Sequence, residues 1–165
     1  MVVVRTRRGL RALGPCLAVL LATGCSVFGD DDGPGEDVSA FELEAGDCVV
    51  PPEEVAAELA ELRVVPCETE HTQETYAVVE YTGGTEESRA LNAPYPGDAA
   101  LKTFADGACA QEYEGYVGVT YPDSAYFFTY LLPSPRSWQA DDRSVVCLVT
   151  TTGETLTRSV KGSEL

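Results

Sequence analysis

Four cysteines, Cys48, Cys67, Cys109 and Cys147, follow an apolar leader and constrain this chain more than any other feature. An even number of cysteines in an exported segment of this size favours disulfides over free thiols. Four cysteines allow three pairings. Cys48 with Cys67 would close a small excursion, and Cys109 with Cys147 would tie a helix to the strand it covers, so this pairing is the expected one. By loop-closure entropy each bridge contributes about 3 to 4 kcal/mol, a large share of what holds a small domain folded. A zinc reading of the cysteines needs paired short spacings, and none occurs. Cys67 and His71 have the i, i+4 spacing of a helical ligand pair, but Pro66 and polar neighbours argue against a helix there. No metal or cofactor is expected.

Of the remaining two cysteines, Cys16 lies in the leader and Cys25 directly follows it. Residues 1–24 have a basic start, with Arg5, Arg7, Arg8 and Arg11, followed by the apolar run Ala12 to Ala22. That run is short of the roughly 20 residues a permanent span requires and reads as a signal peptide. It ends in Leu21-Ala22-Thr23-Gly24-Cys25-Ser26, which resembles a bacterial lipobox. There a cysteine receives acyl chains, palmitate among them, and becomes the new N-terminus. The plain alternative is an ordinary secretory leader with Cys25 left as a reactive exposed thiol.

Of 11 Lys and Arg, four lie in the leader, so the segment from Cys25 onward carries 7 basic against 27 acidic side chains, a formal charge of −20. Binding to nucleic acid or anionic headgroups requires the opposite surplus and is excluded as a function class. Residues 25–39 include S-V-F-G-D-D-D-G-P-G-E-D-V, too poor in apolar side chains to order themselves, and read as a lipidated cysteine with an acidic tether. Asp30, Asp31 and Asp32 lack the alternating spacing of a calcium loop.

A folded domain over 40–162 is expected next, with 163–165 as a tail. Phe41–Glu44 and Gly46–Val50 read as short strand pieces. Pro52 to Leu62 reads as a modest helix, with Val55, Leu59 and Leu62 on one face. Thr75 to Tyr81 alternates and is rich in β-branched and aromatic residues, as a strand should be. Asp98 is the expected N-cap of the main amphipathic helix, whose stripe runs Leu101, Phe104, Ala105, Ala108, Cys109, Tyr113, Tyr116. Ala125 to Leu132 and Arg143 to Thr151 read as strands, the second with Val145, Cys147 and Val149 on one face and Val146, Leu148 and Thr150 on the other. Ser134–Trp138 is a capped turn between them, and Thr155 to Val160 a hairpin partner. The fold class is α+β: a small antiparallel sheet of three to four strands, covered by one main helix and stapled by two disulfides.

The ordered set Gly46-Asp47-Cys48-Val49, Val65-Pro66-Cys67-x-x-x-His71-x-x-Glu74, Tyr95-Pro96-Gly97, Cys109, Tyr116-Val117-Gly118, Pro133-x-x-x-Ser137-Trp138-x-x-x-Asp142-Arg143-x-Val145-x-Cys147 and Ser159-Val160-Lys161-Gly162 resembles the septum formation family of actinobacterial envelope proteins. The resemblance covers about residues 40–162. It implies a lipoprotein or membrane-tethered extracellular domain near division septa, with no established reaction. Two positions depart from the pattern: Glu70 stands where members often carry Pro, and Asp141 where they often carry Gly.

Two groups of residues could carry function. His71 and Glu74 could be a base and its orienter, a pH-sensitive contact or the edge of a binding site. The structural reading has His71 tying the turn after Cys67 to the following strand, most simply through Glu74. Trp138 with Asp142 and Arg143 could form a stacking ledge for a ligand, or an aromatic core cap beside an Asp–Arg ion pair. No nucleophile or oxyanion motif accompanies either group, so an enzyme is not expected. The leading expectation is a lipid-anchored, non-enzymatic module on the extracellular face of the cell membrane that binds an envelope protein or wall component. A wall-remodelling hydrolase and a structural spacer are the alternatives.

Lipidation at Cys25 makes a direct prediction. Each buried CH₂ contributes about 0.8 kcal/mol to membrane residence, so two or more acyl chains hold firmly where one is marginal. Cys25→Ser should release the domain from membranes on fractionation, and intact mass of the wild type should show an acylated Cys25 at the N-terminus. An unmodified N-terminus elsewhere would contradict this.

Overall fold

The strand Ser144–Thr150 (β6) alternates as the sequence demands, and both of its faces are buried. Val145, Cys147 and Val149 enter one apolar cluster, and Val146 and Leu148 enter a second on the opposite face. The computed structural model describes residues 34–52, 61–86 and 93–165. The leader, Cys25, most of the tether and most of the helix expected over Pro52–Leu62 lie outside the described residues.

Six strands form one antiparallel sheet among the described residues: β1 (Glu36–Ser39), β2 (Cys48–Val50), β3 (Glu61–Val65), β4 (Gln73–Glu80), β5 (Phe127–Leu131) and β6, in the order β1-β3-β2-β4-β6-β5. One main helix, α1 (Asp98–Val117), packs on the Cys147 face. A short helix, α2 (Pro135–Gln139), leads into β6 and is closed by a capping box between Ser134 and Ser137. The α+β class, the covering helix and the antiparallel sheet are those expected.

Helix α1 buries Leu101, Ala105, Cys109, Tyr113, Tyr116 and Val117, the stripe that its three-and-four spacing requires. It ends where Gly118 takes a left-handed φ of 96° and donates its N–H to Glu114 O at 2.9 Å. The Cys109–Cys147 disulfide joins the helix to β6 with Cα atoms 5.6 Å apart, and Cys48–Cys67 closes the excursion between β2 and β4 with Cα atoms 5.3 Å apart. Both bridges are those expected.

A bulge in β4 sets the second tie between helix and sheet. The register with β6 slips between Thr75 and Ala77, leaving Tyr76 as the extra residue. Its ring then reaches under α1, where its hydroxyl donates to Cys109 O at 2.8 Å and the ring packs edge-on against Tyr113 at 5.4 Å.

The sheet is wider than expected, for two reasons. Residues Glu36–Ser39, assigned to the tether from their polarity, form edge strand β1, in which Asp37 stands opposite Arg63 with 3.7 Å between charged groups and Val38 packs on the second cluster. An edge strand needs backbone pairing more than apolar side chains, so its composition reads as linker. Glu61 and Leu62, assigned to the end of a helix, are the first residues of β3. Backbone pairing of both residues with Ser39 and Val38 of β1 prevails there over a weak helical pattern.

Three smaller expectations also fail. Phe41–Glu44 is not a strand; Leu43 drops into the second cluster from a turn. Gly97, not Asp98, is the N-cap of α1; Asp98 is the first residue of the helix, and its carboxylate accepts from the Tyr95 hydroxyl at 2.5 Å. Thr155–Val160 forms no hairpin with β6. Leu156 instead exchanges two backbone hydrogen bonds with His71, of 2.7 and 3.0 Å, carrying the chain across the start of β4.

The tyrosines under α1 predict an alkaline limit to stability. Burial, the first cause in each case, raises the pKa of Tyr76 and Tyr113 above the ordinary value of 10.0, and neighbouring phenols add to it. A phenol with a raised folded pKa keeps its proton in the native state after the unfolded chain has lost it. Stability is therefore full below about pH 10 and falls as pH rises beyond it. Denaturant melts from pH 8 to 11 should show this decline, with tyrosinate absorbance from these rings delayed until unfolding. Complete tyrosine ionisation at the ordinary pKa in the folded protein would contradict it.

Candidate functional site around Glu74 and His71

The start of β4 carries the most concentrated polar chemistry in the described fold. Glu74 pairs with Cys48 of β2 on one side and with Val149 of β6 on the other, placing it on the face covered by α1. It is 0% exposed. A carboxylate so buried requires donors, and three converge on it. The hydroxyls of Tyr116 and Ser159 each donate to Oε1 at 2.6 Å, and the Val160 N–H donates to Oε2 at 2.7 Å. One side chain thereby holds β4, the end of α1 and the segment beyond β6 together. The Tyr116 pKa is raised, first by burial and then by its hydrogen bond to this carboxylate. The Lys161 ammonium lies 5.5 Å from the centroid of the Tyr116 ring.

His71 is 1% exposed, and a ring nitrogen lies within 4.8 Å of both the Cys48 sulfur and a Glu74 oxygen. The expected tie between His71 and Glu74 is not made. His71 Nδ1 sits 2.8 Å from Thr69 O, an acceptor, so Nδ1 carries the proton and donates within the turn. The carboxylate of Glu74 is taken by donors from α1 and the distal segment. Nε2 has no hydrogen-bond partner among the described residues. His71 does join the turn after Cys67 to the sheet, but through its backbone bridge to Leu156.

The second group is a packing corner. Trp138 is 2% exposed, donates Nε1–H to Ala93 O at 2.8 Å and meets the rings of Tyr81 and Tyr95 at 5.7 and 5.8 Å. The Arg143 guanidinium stacks 3.8 Å from the Trp138 ring centroid and donates to the carbonyls of Trp138 and Asp142 at 2.8 and 2.9 Å. The acidic partner of Arg143 is Asp141, at 3.8 Å, and not the expected Asp142. Asp142 instead accepts from the Ser137 hydroxyl and the Ser144 N–H, at 2.8 and 2.9 Å, which fixes the turn from α2 into β6.

The two groups stand at opposite ends of α1. Trp138 packs with Leu101 and Glu74 bonds Tyr116, 15 residues on, or about 22 Å along the helix. They do not form one site. Sequence reasoning missed Tyr116, Ser159 and the Val160 N–H as partners of Glu74. The signal was present in the motifs Tyr116-Val117-Gly118 and Ser159-Val160-Lys161-Gly162, which carry small and hydroxylated residues that packing alone does not require.

These residues fall inside a single family pattern. The chain belongs to the Septum formation family, whose model matches residues 45–163. It is 29% identical over 125 residues to LppN of Mycobacterium tuberculosis, a protein described by name as a lipoprotein, covering 72% of this chain and 62% of LppN. LppN of Mycobacterium bovis matches with the same figures. The chain thus spans somewhat under two thirds of the length of these curated relatives. No solved structure matches it.

Glu74→Ala should destabilise the domain strongly. It leaves Tyr116, Ser159 and Val160 with buried donors and no acceptor, at about 1 to 3 kcal/mol for each. Urea melts at neutral pH should show a loss of at least about 3 kcal/mol. A variant within about 0.5 kcal/mol of wild type would show that the carboxylate is not the tie described.

Proposed function

We propose that this chain is a lipid-anchored domain on the extracellular face of the cell membrane that works by binding an envelope protein or wall component at the division septum, without catalysing a reaction. The observation that carries the reading is the state of its most concentrated polar group. Glu74 is sealed from solvent and accepts from three donors of the same fold, which is how a carboxylate serves cohesion and not proton transfer to a substrate. The family match and the likeness to LppN support an envelope setting. Among the described residues no helix is long and apolar enough to cross a membrane, and the reading places attachment at Cys25.

The charge of the exported segment bears on the partner. A formal −20 repels polyanions and favours basic or neutral surfaces, with association rates that fall as salt screens the attraction.

The discriminating experiment is affinity capture from intact envelopes with a tagged full chain, combined with imaging of the tagged protein in dividing cells. The expected result is one reproducible envelope partner, lost at high ionic strength, and enrichment at septa. Loss of wall-polymer turnover on changing a single carboxylate, in a variant that still folds, would overturn the binding reading in favour of a hydrolase.

A further inference from the structure

The buried ring nitrogen of His71 points to a chemistry that the binding reading does not use. We infer that Cys48, Cys67, His71 and Glu74 form a latent zinc site, closed while Cys48 and Cys67 are joined and opened when that disulfide is reduced.

Three of the four donors are already together. The Cys48 sulfur, a His71 ring nitrogen and a Glu74 oxygen lie within 4.8 Å of one another, and all three residues are buried. Ligands about 2.0 to 2.3 Å from a tetrahedral zinc lie roughly 3.3 to 3.8 Å apart, so small side-chain adjustments suffice. Cys67 lies outside that group, and its sulfur, once released from Cys48, must turn inward to supply the fourth donor. Two thiolates, an imidazole and a carboxylate make a donor set suited to zinc.

The surrounding contacts are those of metal-ligating groups. Thr69 O accepts from Nδ1–H, which leaves the Nε2 lone pair unused, the arrangement that orients a histidine for ligation through Nε2. Glu74 Oε1 accepts two hydrogen bonds but Oε2 only the one from Val160, leaving Oε2 a lone pair. Tyr116, Ser159 and Val160 hold that carboxylate in place as outer partners.

The two disulfides differ in access. Cys109 and Cys147 are each 0% exposed, whereas Cys67 is only half-buried beside a Cys48 that is 1% exposed. A dithiol therefore attacks at Cys67. Its thiolate bonds to the Cys67 sulfur as the Cys48–Cys67 bond breaks and Cys48 leaves as a thiolate. The second thiol of the reductant resolves the mixed disulfide, so the dithiol is oxidised to a disulfide and the two protein cysteines are reduced. Zinc then binds both thiolates, and their protons pass to solvent.

The test uses the full chain carrying Cys67→Ser, which frees the Cys48 thiol without reductant and leaves Cys109–Cys147 intact. His71 is the only histidine, so ¹⁵N spectra report a single imidazole. One equivalent of Zn²⁺ should move the Nε2 resonance and leave Nδ1 protonated, and Co²⁺ should give a thiolate charge-transfer band. Adding His71→Ala should weaken Zn²⁺ binding at least about tenfold. Oxidised wild type should give no such band, whereas wild type reduced only at Cys48–Cys67, as verified by mass, should give a stronger band than Cys67→Ser because it offers two thiolates. That second route gives the reading if Cys67→Ser fails to fold. An unmoved Nε2 resonance, no thiolate band in the reduced protein, or undiminished binding without His71 overturns the proposal.

Discussion

A single buried anion holds this domain together. Glu74 would be costly to bury alone, since a desolvated carboxylate must find hydrogen-bond donors or surrender its charge. Its three donors come from two places: Tyr116 at the end of α1, and Ser159 and Val160 beyond β6. Each of these elements is positioned by satisfying the charge, and the charge is tolerable only because all are present. The residues that follow continue the arrangement, with the Gly162 and Glu164 N–H groups donating to Tyr116 O and Val117 O at 2.8 and 3.0 Å.

The disulfides do a different job. Cys109–Cys147 lies inside the cluster between α1 and β6, where packing already favours contact, and it restricts the unfolded chain more than it adds attraction. Cys48–Cys67 closes the excursion that brings β3 back beside β2 and delivers His71 to the start of β4. Around it the interior is polar, with His71, Glu74 and Thr75 all buried. The domain thus has an apolar staple and a polar one.

What was legible in the sequence was whatever depends on periodicity. Strand β6 alternates over Val145 to Val149, α1 carries its stripe from Leu101 to Tyr116, and both impose their faces regardless of context. The Cys109–Cys147 pairing followed from those faces. What was not legible depends on partners distant in the chain. Polar Glu36–Ser39 is a strand because β3 offers it an edge, and Glu61–Leu62 is extended because it pairs with that same distant segment. Glu74 was noticed, but its partners lie 42 to 86 residues away, and His71, three residues off, was the nearer choice. Asp141 is a case in which the departure from the family pattern had a physical meaning. It holds a φ of 64°, in the left-handed region that glycine adopts without cost and aspartate tolerates.

The reach of the Glu74 contacts also bears on when the domain can fold. Ser159 and Val160 lie 85 and 86 positions after the carboxylate they satisfy. A chain made from its N-terminus presents β4 long before these donors exist. Until they do, the carboxylate has no reason to leave water, α1 lacks its tie to the sheet's end, and the sheet cannot close around it. The interior charge thus couples the two ends of the fold: the closing of the sheet around β4 waits on a segment that comes almost last in the described chain.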